Sequence, residues 1–119
     1  MRISDTKLHS SLKNQIQNTF TQLIVDLKSA SEAQDFFKDF LTPSELETYS
    51  KRLAVAYWLK KGRSYQNIKQ NLKVSSATIA SVQEILNKKG LQLALKKMEA
   101  EEWANVWAER IHKILPVGK

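Results

Sequence analysis

The chain has 119 residues, 42% of them hydrophobic, with 19 Lys or Arg against 12 Asp or Glu and a net charge of +7. That length suits one hydrophobic core, so a single domain over residues 1–119 is expected, with apolar surface left over that a second copy would cover. The absence of cysteine excludes a disulfide framework and a thiolate metal site, and no apolar run, at Met1 to Ser10 or later, resembles a signal peptide or reaches the roughly 18–20 residues of a membrane span, so a cytoplasmic protein with no membrane contact is expected.

Three glycines and two prolines leave little room for hairpins, and no stretch sustains two-residue alternation, so the fold class predicted is all-α. Leu12, Ile16, Phe20, Leu23 and Leu27 recur every three or four residues, which predicts one amphipathic helix over Ser10 to Ser29. Ser31 is the cap expected for a short second helix carrying Phe36, Phe37 and Phe40, which stops before Pro43 because the residue preceding proline disfavours helical angles. Thr42, Pro43 and Glu45 form the clearest helix start in the chain: a cap, a proline at the first position and a glutamate that reaches back. From there a helix is predicted to about Lys61, with Leu46, Tyr49, Leu53 and Ala56 or Tyr57 as its buried stripe, Ala54 and Trp58 broadening it, and Gly62 as its left-handed terminus.

Residues 65–84, YQNIKQNLKVSSATIASVQE, read as two short helices joined by a tight turn. Ile68 and Leu72 point inward from the first, Ile79, Val82 and Leu86 from the second, and Val74 fills the corner. This is the layout of a helix-turn-helix, here about 64–86, whose second helix enters the major groove of double-stranded DNA. Ser75 or Ser76 caps that helix, leaving its first amides and positive dipole end to meet a phosphate. Positions not committed to the core, Ser75, Ser76, Ala77, Ala80, Ser81 and Glu84, are the ones expected to face bases. None has the bidentate reach of Arg to guanine or Asn to adenine, so direct readout is limited to hydroxyl bonds and methyl contacts.

Affinity must then come from backbone contacts, for which the candidates are Lys60, Lys61, Arg63, Gln66, Asn67, Lys73, Lys88 and Lys89. From Lys51 to Lys97 there are eleven Lys or Arg and one acid, Glu84, a balance of +10, while the remainder of the chain carries −3. So concentrated a cationic stretch points to an anionic partner. Past Gly90, which punctuates the chain, a last helix to about Leu115 carries Leu91, Leu95, Met98, Trp103, Trp107, Ile111 and Ile114, and Pro116 and Gly118 end it. Catalysis is not expected, because His9 and His112 belong to no catalytic or metal-binding pattern, and Glu99, Glu101 and Glu102 read as a solvated face. A helical protein-interaction or RNA-binding module, or a non-specific architectural DNA binder, are the alternatives to a specific regulator.

The run from Leu41 to Val82 resembles the Trp repressor-like family, in particular its YerC/YecD-type branch. The features that carry the resemblance are Leu41-Thr42-Pro43 with Glu45, Lys51-Arg52-Leu53, Lys61-Gly62-Arg63-Ser64-Tyr65 with Ile68, and Val74-Ser75 followed by Ala77-Thr78-Ile79. It implies an intertwined homodimer that represses transcription by binding operator DNA, with dimerisation helices at about 10–61 and 91–115. It also implies a tryptophan site, whose matching positions here are Thr42, Arg52, Thr78, Ser81 and Val82. Serine and valine stand where the family has an arginine and a glycine, so no tryptophan corepressor and no other cofactor is expected. Against helix-turn-helix proteins at large, Lys69 and Lys73 stand where a small residue and a glycine are kept, although Trp repressors resemble this chain in having lysine at the first of these positions.

Overall fold

A computed structural model of the protein describes residues 9–114, with side chains described up to Glu102. The expectations placed on Trp103, Trp107, Ile111, His112 and Ile114 as side chains, and on Pro116 and Gly118, lie outside the described residues. Among the described residues there are six helices and no strand: α1 (Ser10–Asp26), α2 (Ala30–Phe40), α3 (Pro43–Lys60), α4 (Tyr65–Leu72), α5 (Ser76–Ile85) and α6 (Lys89–Ile114). The backbone divides into two compact units, Met1–Leu46 and Glu47–Lys119.

In the first unit, α1 ends three residues earlier than its apolar stripe suggested, because Leu27 turns extended and closes the helix with its amide on the Ile24 carbonyl. The cap of α2 is Ser29, not Ser31. Ser29 Oγ accepts from the Glu32 amide at 3.1 Å, and Glu32 reaches back to accept from the Lys28 amide, also at 3.1 Å. That reciprocal pair satisfies two amides where a cap at Ser31 would leave them without acceptors. The start of α3 follows the capping-box expectation, with Thr42 Oγ1 accepting from the Glu45 amide at 3.0 Å and Glu45 accepting from the Thr42 amide at 2.9 Å. Hydrogen bonds with the Thr42 amide and then its hydroxyl hold the Glu45 carboxyl below the usual glutamate range. The cap is therefore complete above that range and is lost as the pH falls through the lowered value.

Neither α1 nor α2 contains a fully buried residue. Phe36 stacks on Phe40 at 5.0 Å between centroids, and Phe20 lies 6.1 Å from Phe40. Even so, Leu12, Ile16, Phe20, Leu23 and Phe40 are between 40% and 58% exposed. Beside them an apolar groove of about 710 Å³ runs over Ala33, Phe37, Leu41 and Leu46.

The second unit holds the buried core. Val55 and Ala56 of α3, Ile68 of α4, Ile79 and Val82 of α5 and Leu95 of α6 meet there, each at most 2% exposed. Trp58, Leu72, Val74, Leu86, Leu91 and Met98 pack around them. Of the stripe expected to be buried on α3, Ala56 is fully covered, together with Val55 beside it, whereas Leu46, Tyr49 and Leu53 are 36%, 47% and 38% exposed. The reason is reach, since the short α4 and α5 cover only the last turns of α3 among the described residues. Gly90 does not interrupt the chain either, because it sits in the first turn of α6, where its lack of a side chain costs little.

Two left-handed residues set the connections. Gly62, at φ +84°, ends α3 with its amide on the Leu59 carbonyl and the Arg63 amide on the Trp58 carbonyl. Lys73, at φ 56° and ψ 50°, closes α4 with its amide on the Lys69 carbonyl. A left-handed angle strains a lysine by about 1 kcal/mol relative to glycine. Lys73→Gly is accordingly expected to stabilise the chain by about that amount in thermal unfolding; a lower melting temperature would contradict the described turn.

Candidate nucleic-acid interface

Local sequence dictates the shape of the α4–α5 pair. Ser64 caps α4, its Oγ accepting from the Asn67 amide at 3.1 Å, and Ser75 caps α5 in the same way toward the Thr78 amide at 3.1 Å. Ile68, Ile79 and Val82 lock the two helices from beneath. Of the two serines considered for the α5 cap, Ser75 does the work, and Ser76 is the first helical residue. The amides of Ser76 and Ala77 therefore have no acceptor within the helix and lie at its positive end.

Ser75, Ser76, Ala77, Ala80, Ser81 and Glu84 are all exposed, whereas Ile79 and Val82 between them are buried. With 3.6 residues per turn, positions 76, 77, 80, 81 and 84 form one continuous outer face. It is small and hydroxyl-rich, with a single charge at its far end.

A cleft of about 370 Å³ opens beside the start of this face, lined by Thr48, Lys51 and Arg52 of α3, Lys73 and Val74 of the turn, and Ser75, Thr78, Ser81 and Val82. Three cationic and four hydroxyl-bearing residues thus line the cleft at the α5 N-terminus, with the Arg52 guanidinium 5.7 Å from the Tyr49 ring centroid. The family's tryptophan positions at Arg52, Thr78, Ser81 and Val82 come together in this cleft. Thr42 spends its hydroxyl on the α3 cap, and Thr78 Oγ1 lies 3.0 Å from Ser75 Oγ. Lys51 is also 3.7 Å from Glu47, an exposed pair of little energetic weight.

The candidate backbone contacts are differently disposed. Gln66, Asn67, Lys73, Lys88 and Lys89 are exposed. Lys60 and Lys61 are instead engaged from α6: Lys60 lies 3.5 Å from Glu99, and Lys61 lies 3.9 Å from Glu102 and over the Tyr57 ring at 5.3 Å. Glu102 also accepts from the Tyr57 hydroxyl. Glu99 and Glu102 lie on an exposed face, as the sequence suggested, and from there they also partner these lysines, which lowers the net cation count. The Arg63 guanidinium carbon lies over Trp58, 3.9 Å from the ring centroid, and Nη1 donates to Asn67 Oδ1 at 3.2 Å. Sequence reasoning also missed Gln92, whose Nε2 donates to the Leu86 carbonyl at 2.6 Å and fixes the passage from α5 to α6. Arg63 precedes the Ser64 cap and so lies outside α4, which means that neither its pairing with Asn67 nor the role of Gln92 carried a helical-spacing signal.

No helix among the described residues is long and apolar enough to cross a membrane, and among them no cluster of His, Asp and Glu is placed to hold a metal.

Residues 15–99 match the Trp repressor protein family. The chain is 33% identical over 81 residues to the uncharacterized protein YerC of Bacillus subtilis (strain 168), spanning 66% of this chain and 78% of that protein. Its backbone is similar to the crystal structure of a TrpR-like protein from Eubacterium eligens ATCC 27750, with a TM-score of 0.70, 33% identity, and coverage of 76% of this chain and 96% of that one. With its six-helix order and capped helix pair, the chain belongs to the Trp repressor family.

Proposed function

We propose that the chain is a homodimeric transcriptional repressor of the cytoplasm that grips double-stranded DNA, laying the outer face of α5 in the major groove. The carrying observation is that Lys51, Arg52 and Lys73 line the cleft at the start of an α5 whose outer face is exposed. Cations there meet phosphates flanking the groove, the Ser76 and Ala77 amides add two neutral donors, and the short side chains behind them allow close approach. Because hydroxyls and methyls read bases weakly, most of the affinity is electrostatic. Tryptophan is not the effector in this reading: Ser81 offers no planar cation to indole or carboxylate, and Val82 fills space.

Equilibrium binding of a labelled duplex across salt concentration tests this reading. With about four to six phosphate contacts, the slope of log K against log salt is expected near −4 to −5, and added tryptophan should not change it. A slope near zero, or tighter binding of structured RNA at equal salt, would contradict it.

The dimer is supported by the first unit. An apolar row on α1, an exposed Phe40 and an apolar groove are together more surface than a soluble monomer ordinarily leaves uncovered. A second copy covers it at the least cost in new sequence, since a twofold interface is self-complementary. Sedimentation equilibrium at micromolar concentration should give twice the chain mass of 13.7 kDa; a single-chain mass would refute the dimer.

A further inference from the structure

Arg63 stands in the basic stretch as an obvious phosphate ligand, but its surroundings differ from those of a ligand held in reserve. Its guanidinium carbon is 3.9 Å from the centroid of Trp58, which is half-buried and packed on the core and so forms a rigid platform. The Arg63 amide bonds the Trp58 carbonyl at 3.1 Å, fixing the arginine backbone to the same residue that its side chain covers. A guanidinium stacked in this way keeps its N–H groups in one plane, and Nη1 donates to Asn67 Oδ1.

Arginine has donors and no acceptor, so the Asn67 atom that faces it must be the oxygen. The Asn67 NH2 group is consequently turned away from Arg63. The asparagine backbone is held as well, its amide by Ser64 Oγ at 3.1 Å and its carbonyl by Asn71 Nδ2 at 2.8 Å. Among the described residues, the bond from Arg63 is the one that orients the Asn67 carboxamide.

We propose that Arg63 is a positioning residue: clamped on Trp58, it aims the Asn67 NH2 group outward as a donor to a DNA phosphate oxygen. This rests on the DNA-binding reading of α4 and α5. A lysine in its place keeps the charge but can neither lie flat on the indole nor hold the amide from a fixed plane.

The test compares duplex affinity at one salt concentration for the full chain, Arg63→Lys, Asn67→Ala and the double variant, alongside the Asn67 side-chain amide resonances. Each single substitution is expected to weaken binding about tenfold, and the double variant no more than Asn67→Ala alone. In the unsubstituted chain the Asn67 NH2 resonances should shift when duplex is added, and in Arg63→Lys they should not. If Arg63→Lys binds as tightly as the unsubstituted chain, or the two losses multiply to about a hundredfold, Arg63 acts independently of Asn67 and the positioning role is refuted. A full chain that binds no duplex even at low salt removes the DNA-binding reading itself, and this inference with it.

Discussion

Replacing Ile79 with alanine is expected to lower the unfolding free energy by about 2–5 kcal/mol, a large part of the roughly 5–15 kcal/mol that holds a small domain together. Ile79 is fully buried on the inner face of α5, in one cluster with Val55 and Ala56 of α3, Ile68 of α4 and Leu95 of α6. Truncating it removes three carbon atoms from a point where four helices meet, and α4 and α5 are too short to survive without that packing. Collapse of the cavity would require α5 to move inward, which Gln92 resists by holding the Leu86 carbonyl at its far end. Urea unfolding at fixed chain concentration measures the loss, and duplex binding should fall with the folded population near the midpoint. A loss below about 1 kcal/mol would mean that α5 is not seated on this core.

How much of this could be read from sequence depended on whether the determinant was local. Thr42, Pro43 and Glu45 announced the start of α3 because a capping box involves four consecutive residues and no tertiary partner. The left-handed Lys73 was legible differently, because it stands where helix-turn-helix proteins keep a glycine. Ser29 and Glu32 spell the same capping signature, so the start of α2 is encoded as locally as that of α3. Tertiary matters were less visible. Periodicity marked Leu46, Tyr49, Leu53 and Ala56 as one stripe, but it could not say that only its end, at Ala56 with Val55, is covered among the described residues.

Charge behaved similarly. A count along the chain left Lys60 and Lys61 unopposed because Glu99 and Glu102, their partners, lie some forty residues away on α6. The exposed face of α5 was predictable in outline, since a helix with Ile79 and Val82 inward must turn positions 76, 77, 80, 81 and 84 outward. The cleft that gathers Lys51 and Arg52 beside Ser75 depends on how α3 crosses α5, and no spacing in the sequence encodes that crossing.

The second large effect is expected at Ala80, a neighbour of Ile79 on the opposite, exposed side of α5. Ala80→Glu should weaken duplex binding by about a hundredfold or more, or roughly 3 kcal/mol, because a carboxylate is then driven between two rows of phosphates. Alanine and glutamate are both good helix formers and the position is not packed, so stability should change by only a few tenths of a kcal/mol. Ala80→Gln controls for size without charge and is expected to stay within about tenfold of the unsubstituted chain, losing only closeness of fit.

The affinity of these two variants for one duplex, measured beside their unfolding curves at the same salt, puts the groove-facing role of α5 to its most direct trial. A hundredfold loss for glutamate, a small loss for glutamine and superimposable unfolding curves are the outcome that follows from α5 lying in the groove. Equal affinity for all three proteins would place the nucleic acid elsewhere and contradict the account.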